Sequence, residues 1–401
     1  MEVFFIRIVI AGAGIGGLAA AAVLGEQGHS VSVLEKKPLV SELGAGLQLA
    51  PNAYDALRRI GVGSEVLEDA VAIERIEIRD GFTGSPIISL NTDSQYCNYF
   101  GSQYIVMHRG DLQQILLRRC YSLDSVQVIA GSEVRDFEEG PLDVVVRDSE
   151  GAEISADLLV GADGIYSTVR EFLVENDELQ ISGHTIYRSV VPIERVPTKF
   201  RQRHVCLWAG AGWHFVHYPI AGGTLLNLAI VVDNGASKLA QGIEATRAQV
   251  LDVCPEVSPE ILSLLSLGTG WRSWVLCDRN PIDSWASDRV VLLGDAAHPM
   301  LQYAAQGACQ ALEDAITLGG CLRDSEGQDP SAGIVKYVRV RQPRTSRLQA
   351  DSRWLGDKIY HAVGEQASWR NRLLGSMGQE NLFGVLDWYH RFGGGDESYF
   401  S

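Results

Sequence analysis

IRIVIAGAGIGGLAAAAVLGEQGHSVSVLE, residues 6–35, decides the fold. Ile6–Ala11 is a short, continuous apolar run, as expected of a parallel strand buried on both faces. GAGIGG (Gly12–Gly17) follows directly and opens a stretch dense in alanine and leucine, which predicts a helix from Gly16 to about Gln27. Gly28 ends that helix, and Ser30–Leu34 restores strand character, completing a βαβ unit. Gly12 permits the tight turn, Gly14 lets a pyrophosphate approach the backbone, and Gly17 lets helix and strand pack closely. The start of the helix then offers free N–H groups and a positive dipole end to phosphates. Glu35 closes the second strand, where an acid accepts the ribose hydroxyls of an adenosine. The element specifies a dinucleotide and leaves NAD and FAD both open.

Two further glycine–aspartate turns stand far downstream. GADG (Gly161–Gly164) ends the predicted strand Ile154–Val160, and GDAAHP (Gly294–Pro299) follows the predicted strand Val290–Leu293. Asp163 either bonds to a cofactor or holds its own turn together. Asp295 is delivered to the C-terminal edge of a sheet, where ligands of open α/β sheets sit.

The rest of the chain reads as further strands and helices. A helix is expected at Ala50–Ile60, with Pro51 in its first turn and Gly61 as its stop, and another at Gly110–Tyr121. Ile73–Leu90 alternates as two strands joined at Gly81–Gly84; Val126–Ile129 and Asp143–Arg147 are single strands. From about 183 to 280 the texture changes. His184–Val191, His204–Trp208, Trp213–Tyr218 and Leu225–Val232 predict a separate, mostly antiparallel sheet inserted into the first domain. Helices follow at Ala305–Leu318 and Ala332–His361. The last carries Lys336, Arg339, Arg341, Arg344, Arg347 and Arg353, read as a solvated face neutralised by acidic neighbours rather than as an anion or lipid-surface patch.

Composition narrows the function classes. The chain has 401 residues, room for two to three domains' worth of core, with the apolar and charged content of an ordinary globular protein. Its formal net charge of −16 disfavours nucleic acid as a partner. Seven cysteines are scattered without a C-x-x-C pair, which argues against a disulfide framework and a zinc site, and for a reducing compartment; no metal site is expected. The apolar run Val3–Leu24 holds Arg7 and several glycines, so it reads as strand, turn and helix rather than as a signal or transmembrane segment. A cytoplasmic location is expected, and a homodimer is compatible with it.

GAGIGG with Glu35, HRGDL (His108–Leu112), GADG and GDAAHP occur in this order at spacings that resemble the single-component FAD-dependent aromatic hydroxylases. The match covers about residues 6–345. The resemblance implies an α/β architecture: a Rossmann-like FAD-binding domain of the p-hydroxybenzoate hydroxylase fold, an inserted antiparallel-sheet substrate domain, and C-terminal helices. The boundaries expected are 1–180 for the first part of the FAD-binding domain, with 73–105 contributing to the substrate side. Residues 181–282 are the substrate domain, 283–345 the second FAD-binding part, and 346–401 a C-terminal helical segment.

By that resemblance Gly12, Gly14, Gly17 and Glu35 hold the ADP half of FAD, and Arg109 contacts the middle of the cofactor. Asp163 serves both FAD and the nicotinamide donor, NADH or NADPH. Asp295 bonds to the ribityl chain and Pro299 lies beside the isoalloxazine. Gly307 and Ala308 open the next helix, whose N–H groups steady negative charge on reduced flavin. Gln48, within GAGLQLAPNA, faces the flavin, and Lys36 stands where many members have arginine.

HFVHYP (His214–Pro219) and PMLQYAAQGA (Pro299–Ala308) resemble the 3-hydroxybenzoate 6-hydroxylase branch of that family, with salicylate-type and secondary-metabolite monooxygenases as near alternatives. The implied reaction transfers oxygen from a flavin C4a-hydroperoxide, with O2 as co-substrate, to a phenolic acid. The carry-over makes His214 the base for the phenol, with Tyr218 and Gln302 positioning the ring. An imidazole near its ordinary pKa can take that proton at neutral pH. His214 and His217 are three apart, so on a strand they face opposite sides and only one lines the pocket. Tyr218 reads equally as a core aromatic, Gln302 as an exposed loop residue, and His298 as structural. Tyr104 is a weaker pocket candidate, and Arg188 meets either a substrate carboxylate or a local acid. A nicotinamide dehydrogenase and a non-catalytic ligand-binding relative are the remoter alternatives.

Overall fold

Three neighbouring strands explain why the glycine–aspartate turns meet. The computed structural model describes residues 5–38, 46–253, 256–323 and 329–395; Val3, Gly44, Ala45, Cys254 and the segment 396–401 lie outside them. Its parallel sheet has the order Val290–Leu292, Leu158–Gly161, Arg7–Ala11, Ser30–Glu35, Val126–Ala130. Ala11 pairs with Gly161, and Gly161 with Leu292, so GAGIGG, GADG and GDAAHP leave the same edge side by side. Ile8, Ile10, Val31, Val33, Leu159, Val160, Val290 and Val291 are buried, as strands covered on both faces require. The helix Ile15–Glu26 packs over them with small residues, and Gly307–Arg323 packs against that helix.

The stretch read as one strand, Ile154–Val160, is two. Glu153–Ala156 belongs to a three-stranded meander with Val144–Asp148 and Val134–Glu139, and only Leu158–Gly161 enters the parallel sheet. Asp157 makes the change of sheet: its carboxylate accepts from the Arg7 backbone N–H at 2.7 Å and from the Arg7 guanidinium at 2.7 Å. A charged residue at a strand joint looks like an ordinary exposed position in a period-2 pattern, so the break was not legible.

The second sheet has eight strands in the order Ile243–Glu244, Arg272–Arg279, Leu179–Pro192, Leu225–Ala236, Trp213–Ile220, His204–Ala209, Arg75–Asp80, Pro86–Asn91. All its pairings are antiparallel except His204–Ala209 with Arg75–Asp80. Strand periodicity divides it into two faces. Trp208, Trp213, Phe215, Leu228 and Ile230 form a core beneath the helices Arg247–Asp252 and Pro259–Leu265. Val205, Leu207, His214, Val216, Tyr218, Asn227 and Ala229 face the other way, towards the first domain.

The chain then closes the structure with helices. Ser331–Trp354 continues through a π-helical turn, Leu355–Tyr360, and is followed by Gly364–Gly375 and Gln379–His390. The cations of the long helix divide: Lys336, Arg339 and Arg347 are exposed, as a solvated face requires, and Arg347 pairs with Asp351 one turn along, but the others are not on that face. Arg341 and Arg344 are fully buried, holding Glu313 and Asp314 of the helix Gly307–Arg323 at 2.6–2.9 Å. Arg353 pairs with the buried Asp278 at 2.7 Å. Arg341, Arg344 and Arg353 each face an acid from a distant segment, and no helical spacing announces such a partner.

Four buried histidines make stability fall in mild acid. Burial lowers the pKa of His214 well below its usual value, and takes those of His217, His361 and His390 down to about 3. Between pH 6.5 and 3 the unfolded chain therefore binds protons that the folded chain refuses, and stability drops as pH falls. Each such histidine costs about 1–2 kcal/mol at pH 5. Thermal melts at pH 7, 6 and 5 test this; a melting temperature that does not move across the series contradicts it.

Candidate active site

Between the two sheets lies a cavity of about 680 Å³. One end reaches Gly14, Gly16, Ala162, Gly164, Asp295 and Gly307, and the other reaches His214, Tyr218 and Arg188.

The Rossmann end has the shape of a phosphate cradle. Gly12 adopts φ +99°, and a Cβ there would lie 2.6 Å from the Ala162 carbonyl oxygen. A Cβ on Gly17 would lie 2.0 Å from the Gly12 carbonyl oxygen, so these two glycines seal the turn. Gly14 is the reverse case, with nothing within 4 Å of its Cβ position, which leaves an approach to the backbone open. Glu35 accepts from the backbone N–H groups of Ala13 and Lys37, both at 2.9 Å. Each carboxylate oxygen keeps a second lone pair for a sugar hydroxyl. Across the cavity, Asp295 is the exposed residue of an otherwise buried GDAAHP turn and takes no bond from a described residue. The helix Gly307–Arg323 starts beside it, so its first N–H groups open on the cavity. A cradle, a free carboxylate and a helix start in one crevice fit a dinucleotide carrying a second ring system.

Not every residue expected at this end reaches the cavity. Asp163 holds its own turn: it accepts from Ser167 Oγ at 2.5 Å and from the Thr168 N–H at 2.8 Å, capping the helix Thr168–Leu173. Lys36 is exposed outside the cavity, and Pro299 is buried behind it, its carbonyl accepting from Gln349 at 3.0 Å. Arg109, Gln48 and Ala308 line the cavity wall.

The sheet end gathers the polar candidates. Tyr104 donates to Gln48 Oε1 at 2.8 Å, and Gln48 also bonds to Tyr218. Tyr218 needs the space left by Gly46, whose Cβ would meet its ring at 2.6 Å. Burial pushes the Tyr218 phenol up to about 12, although Arg188 and Gln48 pull the other way, so it stays protonated as a donor. Gln302 is not exposed: its Oε1 accepts from Arg188 Nη2 at 2.7 Å. Arg188 itself stacks over Trp274 at 5.6 Å and has no carboxylate partner among the described residues. Burial works against its charge, and Arg109 opposes it further. No described residue supplies the local acid that was its alternative partner.

His214 lines the cavity and His217 does not; the latter packs between Trp208 and Phe215 on the opposite face. His214 Nδ1 is 2.8 Å from His361 Nε2, which leaves Nε2 as the nitrogen open to a molecule in the cavity. His298 is fully buried, 2.6 Å from Asp314, and takes no part in the wall.

Sequence reasoning missed the contribution of the C-terminal segment. Ile359, Tyr360, Leu373, Met377, Leu386 and Tyr389 complete the cavity, and His361 supports His214 from behind. These residues sit on the π-helical turn, the two short helices and the link between them, without a motif; their only signal is apolar spacing, which every packed helix shows.

The sequence model of a family described as "FAD binding domain" matches residues 6–352. The chain is 42% identical to 3-hydroxybenzoate 6-hydroxylase 1 of Aquipseudomonas alcaligenes, covering 96% of this chain and 97% of that one. It is 36% identical to 3-hydroxybenzoate 6-hydroxylase of Klebsiella oxytoca, covering 96% of each. Among solved structures, Klebsiella pneumoniae HpxO complexed with FAD and uric acid superposes with a TM-score of 0.83 at 25% identity, covering 95% of each chain.

Proposed function

The chain belongs to the FAD-binding aromatic hydroxylase family and is an FAD-dependent monooxygenase; from that premise we propose that its substrate is 3-hydroxybenzoate, hydroxylated para to the phenol to give 2,5-dihydroxybenzoate. The observation that carries this reading is Arg188, a cation on the cavity wall with no acid among the described residues to neutralise it. Such a charge calls for an anion, and a substrate carboxylate provides one. Val216 and Arg188 flank Ala229 in register, and His214 follows on the same face, so an acid-binding group and a base share one floor.

The chain's own groups divide the work. Arg188 binds the carboxylate, held in plane by Gln302. Tyr218 and Gln48 orient the ring. His214 Nε2 accepts the phenol proton, and the phenolate directs electron density to its para carbon. Ile76, Ile78, Leu207 and Val216 exclude water around it. Bound FAD, reduced by NADH or NADPH, supplies activated oxygen from O2. Gly12, Gly14, Gly17 and Glu35 would hold its ADP half, Asp295 its ribityl chain, and the start of the helix at Gly307 its anionic ring. We place the reaction in the cytoplasm; no helix among the described residues is long and apolar enough to cross a membrane.

A panel of phenolic acids, scored by NADH oxidation with products identified by mass and NMR, tests the assignment. Gentisate from 3-hydroxybenzoate is the expected result, and faster coupled turnover of salicylate refutes it. His214→Ala should keep its flavin and go on oxidising NADH while gentisate falls about 100-fold and peroxide rises; normal coupling would remove His214 from the site. Asp295→Ala should purify with little flavin absorbance, and full flavin content would show that its carboxylate does not hold the cofactor.

A further inference from the structure

The sheet floor of the cavity is a lattice of three rows crossing the strand Leu225–Ala236. Asn227, Ala229 and Val231 share one face of that strand, at steps of about 7 Å. Cross-strand register completes the rows: Val190 and Tyr218 beside Asn227, Arg188 and Val216 beside Ala229, Ile186 and His214 beside Val231. The cation therefore stands in the middle row, the base in one outer row, and Asn227 in the other.

Asn227 is only 2% exposed, yet it lines the cavity. Its Oδ1 accepts from the Gly46 N–H at 3.0 Å, which fixes the way the amide points. Glycine is what lets that neighbouring strand come so near, since a Cβ on Gly46 would lie 2.8 Å from Asn227 Cγ. Nδ2 takes no partner among the described residues and is not one of their sealed polar atoms, so its two N–H donors open on the cavity. A buried amide with unclaimed donors on a cavity wall calls for an acceptor from outside the chain.

We propose that Asn227 is a specificity-determining residue: its Nδ2 donates to the substrate carboxylate and thereby selects C6 for oxygen over C2 and C4. The proposal rests on 3-hydroxybenzoate being held between Arg188 and His214. With the carboxylate towards Arg188 in the middle row and the 3-hydroxyl towards His214, C2 lies on the His214 side of the ring and C6 on the Asn227 side. One carboxylate oxygen then faces the row of Asn227. The phenolate activates C2, C4 and C6 alike, so the product depends on how the ring is held in its plane. One arm of the Arg188 fork is engaged by Gln302, and a carboxylate on the remainder can pivot. A second donor on the C6 side stops that rotation. A neutral donor suits the position, because its bond to the anion is charge-assisted while Arg188 stays free for the substrate. An acid in the same place would neutralise the cation before substrate arrived.

The test compares Asn227→Ala and Asn227→Leu with the unaltered holoenzyme. It titrates 3-hydroxybenzoate and 3-methylphenol, which has no carboxylate, against the flavin spectrum and identifies products by NMR. In both variants the Kd for 3-hydroxybenzoate should rise about 10- to 100-fold. The Kd for 3-methylphenol should stay within threefold, and 2,3- and 3,4-dihydroxybenzoate should appear beside gentisate. Equal weakening of both ligands would mean that Asn227 only holds the strand of Gly46, and overturns the proposal. Unchanged binding with gentisate as sole product overturns it as well. A crystal structure of the unaltered holoenzyme with 3-hydroxybenzoate gives a reading that needs no variant: a carboxylate oxygen should lie about 3 Å from Asn227 Nδ2, and a carboxylate out of hydrogen-bond reach sinks the idea. An unaltered enzyme that does not turn over 3-hydroxybenzoate overturns the substrate assignment first and this proposal with it; every other outcome leaves that assignment standing.

Discussion

Arg188→Met should raise the KM for 3-hydroxybenzoate on the order of 100-fold or more while leaving the protein as stable as before, or more so. The two halves of this expectation have one cause. Without a bound anion the guanidinium is desolvated, and among the described residues Gln302, the face of Trp274 and the Tyr218 hydroxyl offset that cost in part. Removing it relieves an unpaired charge, so folding does not suffer. In the complex, the same change strands the substrate carboxylate on an apolar wall, a loss of about 2–5 kcal/mol. Arg188→Lys should fall between, keeping the charge but losing the fork that grips a carboxylate and Gln302 together. Titrating substrate against the flavin spectrum gives Kd directly, and a phenol without the carboxylate serves as control. A variant that binds 3-hydroxybenzoate within threefold of the parent would detach Arg188 from substrate recognition.

Asp314→Ala should be the most destabilising single change in the flavin half, costing about 3–5 kcal/mol and on the order of 10 °C in Tm. The carboxylate is wholly buried and accepts from the Gly294 N–H at 2.9 Å, from His298 at 2.6 Å and from Arg341 at 2.6 Å. It thereby ties both ends of the GDAAHP turn to the long C-terminal helix. Burial alone would raise its pKa, but His298 and Arg341 outweigh that and bring it down to about 2. Its folded value lies below its unfolded one, so its contribution is complete above about pH 4 and is lost as pH falls towards 2. Arg341 would be left with Glu313 and Gln310, and the His298 ring without a hydrogen-bond partner among the described residues, which is why truncation costs more than the pair contributes. Calorimetry at pH 7 measures the loss, and a drop in Tm under 3 °C would show that the turn is held by other contacts.

The parts legible in the sequence are those whose chemistry is local. A buried strand, a glycine turn and a helix start lie within a dozen residues of one another, and each constrains the next. The alternation of HFVHYP likewise separates His214 from His217 through strand geometry alone. What could not be read depends on partners far along the chain. Arg341 and Arg344 look like surface cations until Glu313 and Asp314 arrive from another helix. Asp163 satisfies itself within its own turn, a choice between two hydrogen-bonding fates that spacing does not decide. His361 lies in a segment with no motif at all, and its meaning comes only from the strand it touches.

The order of strands in the parallel sheet also sets a timetable for biosynthesis. The strand Arg7–Ala11 leaves the ribosome first, yet Val290–Leu292, which brings the third glycine–aspartate turn to the same edge, emerges nearly 300 residues later. At about 5–20 residues per second that interval is roughly 15–60 s. Through it the phosphate cradle has no opposite wall, and the nascent chain has only the ADP-binding half of the site. The segment Gly364–His390, which closes the substrate chamber, appears later still. Full cofactor capture therefore waits for the third turn, and a chain stopped short of Gly364–His390 would leave the ribosome with its reaction chamber open to water.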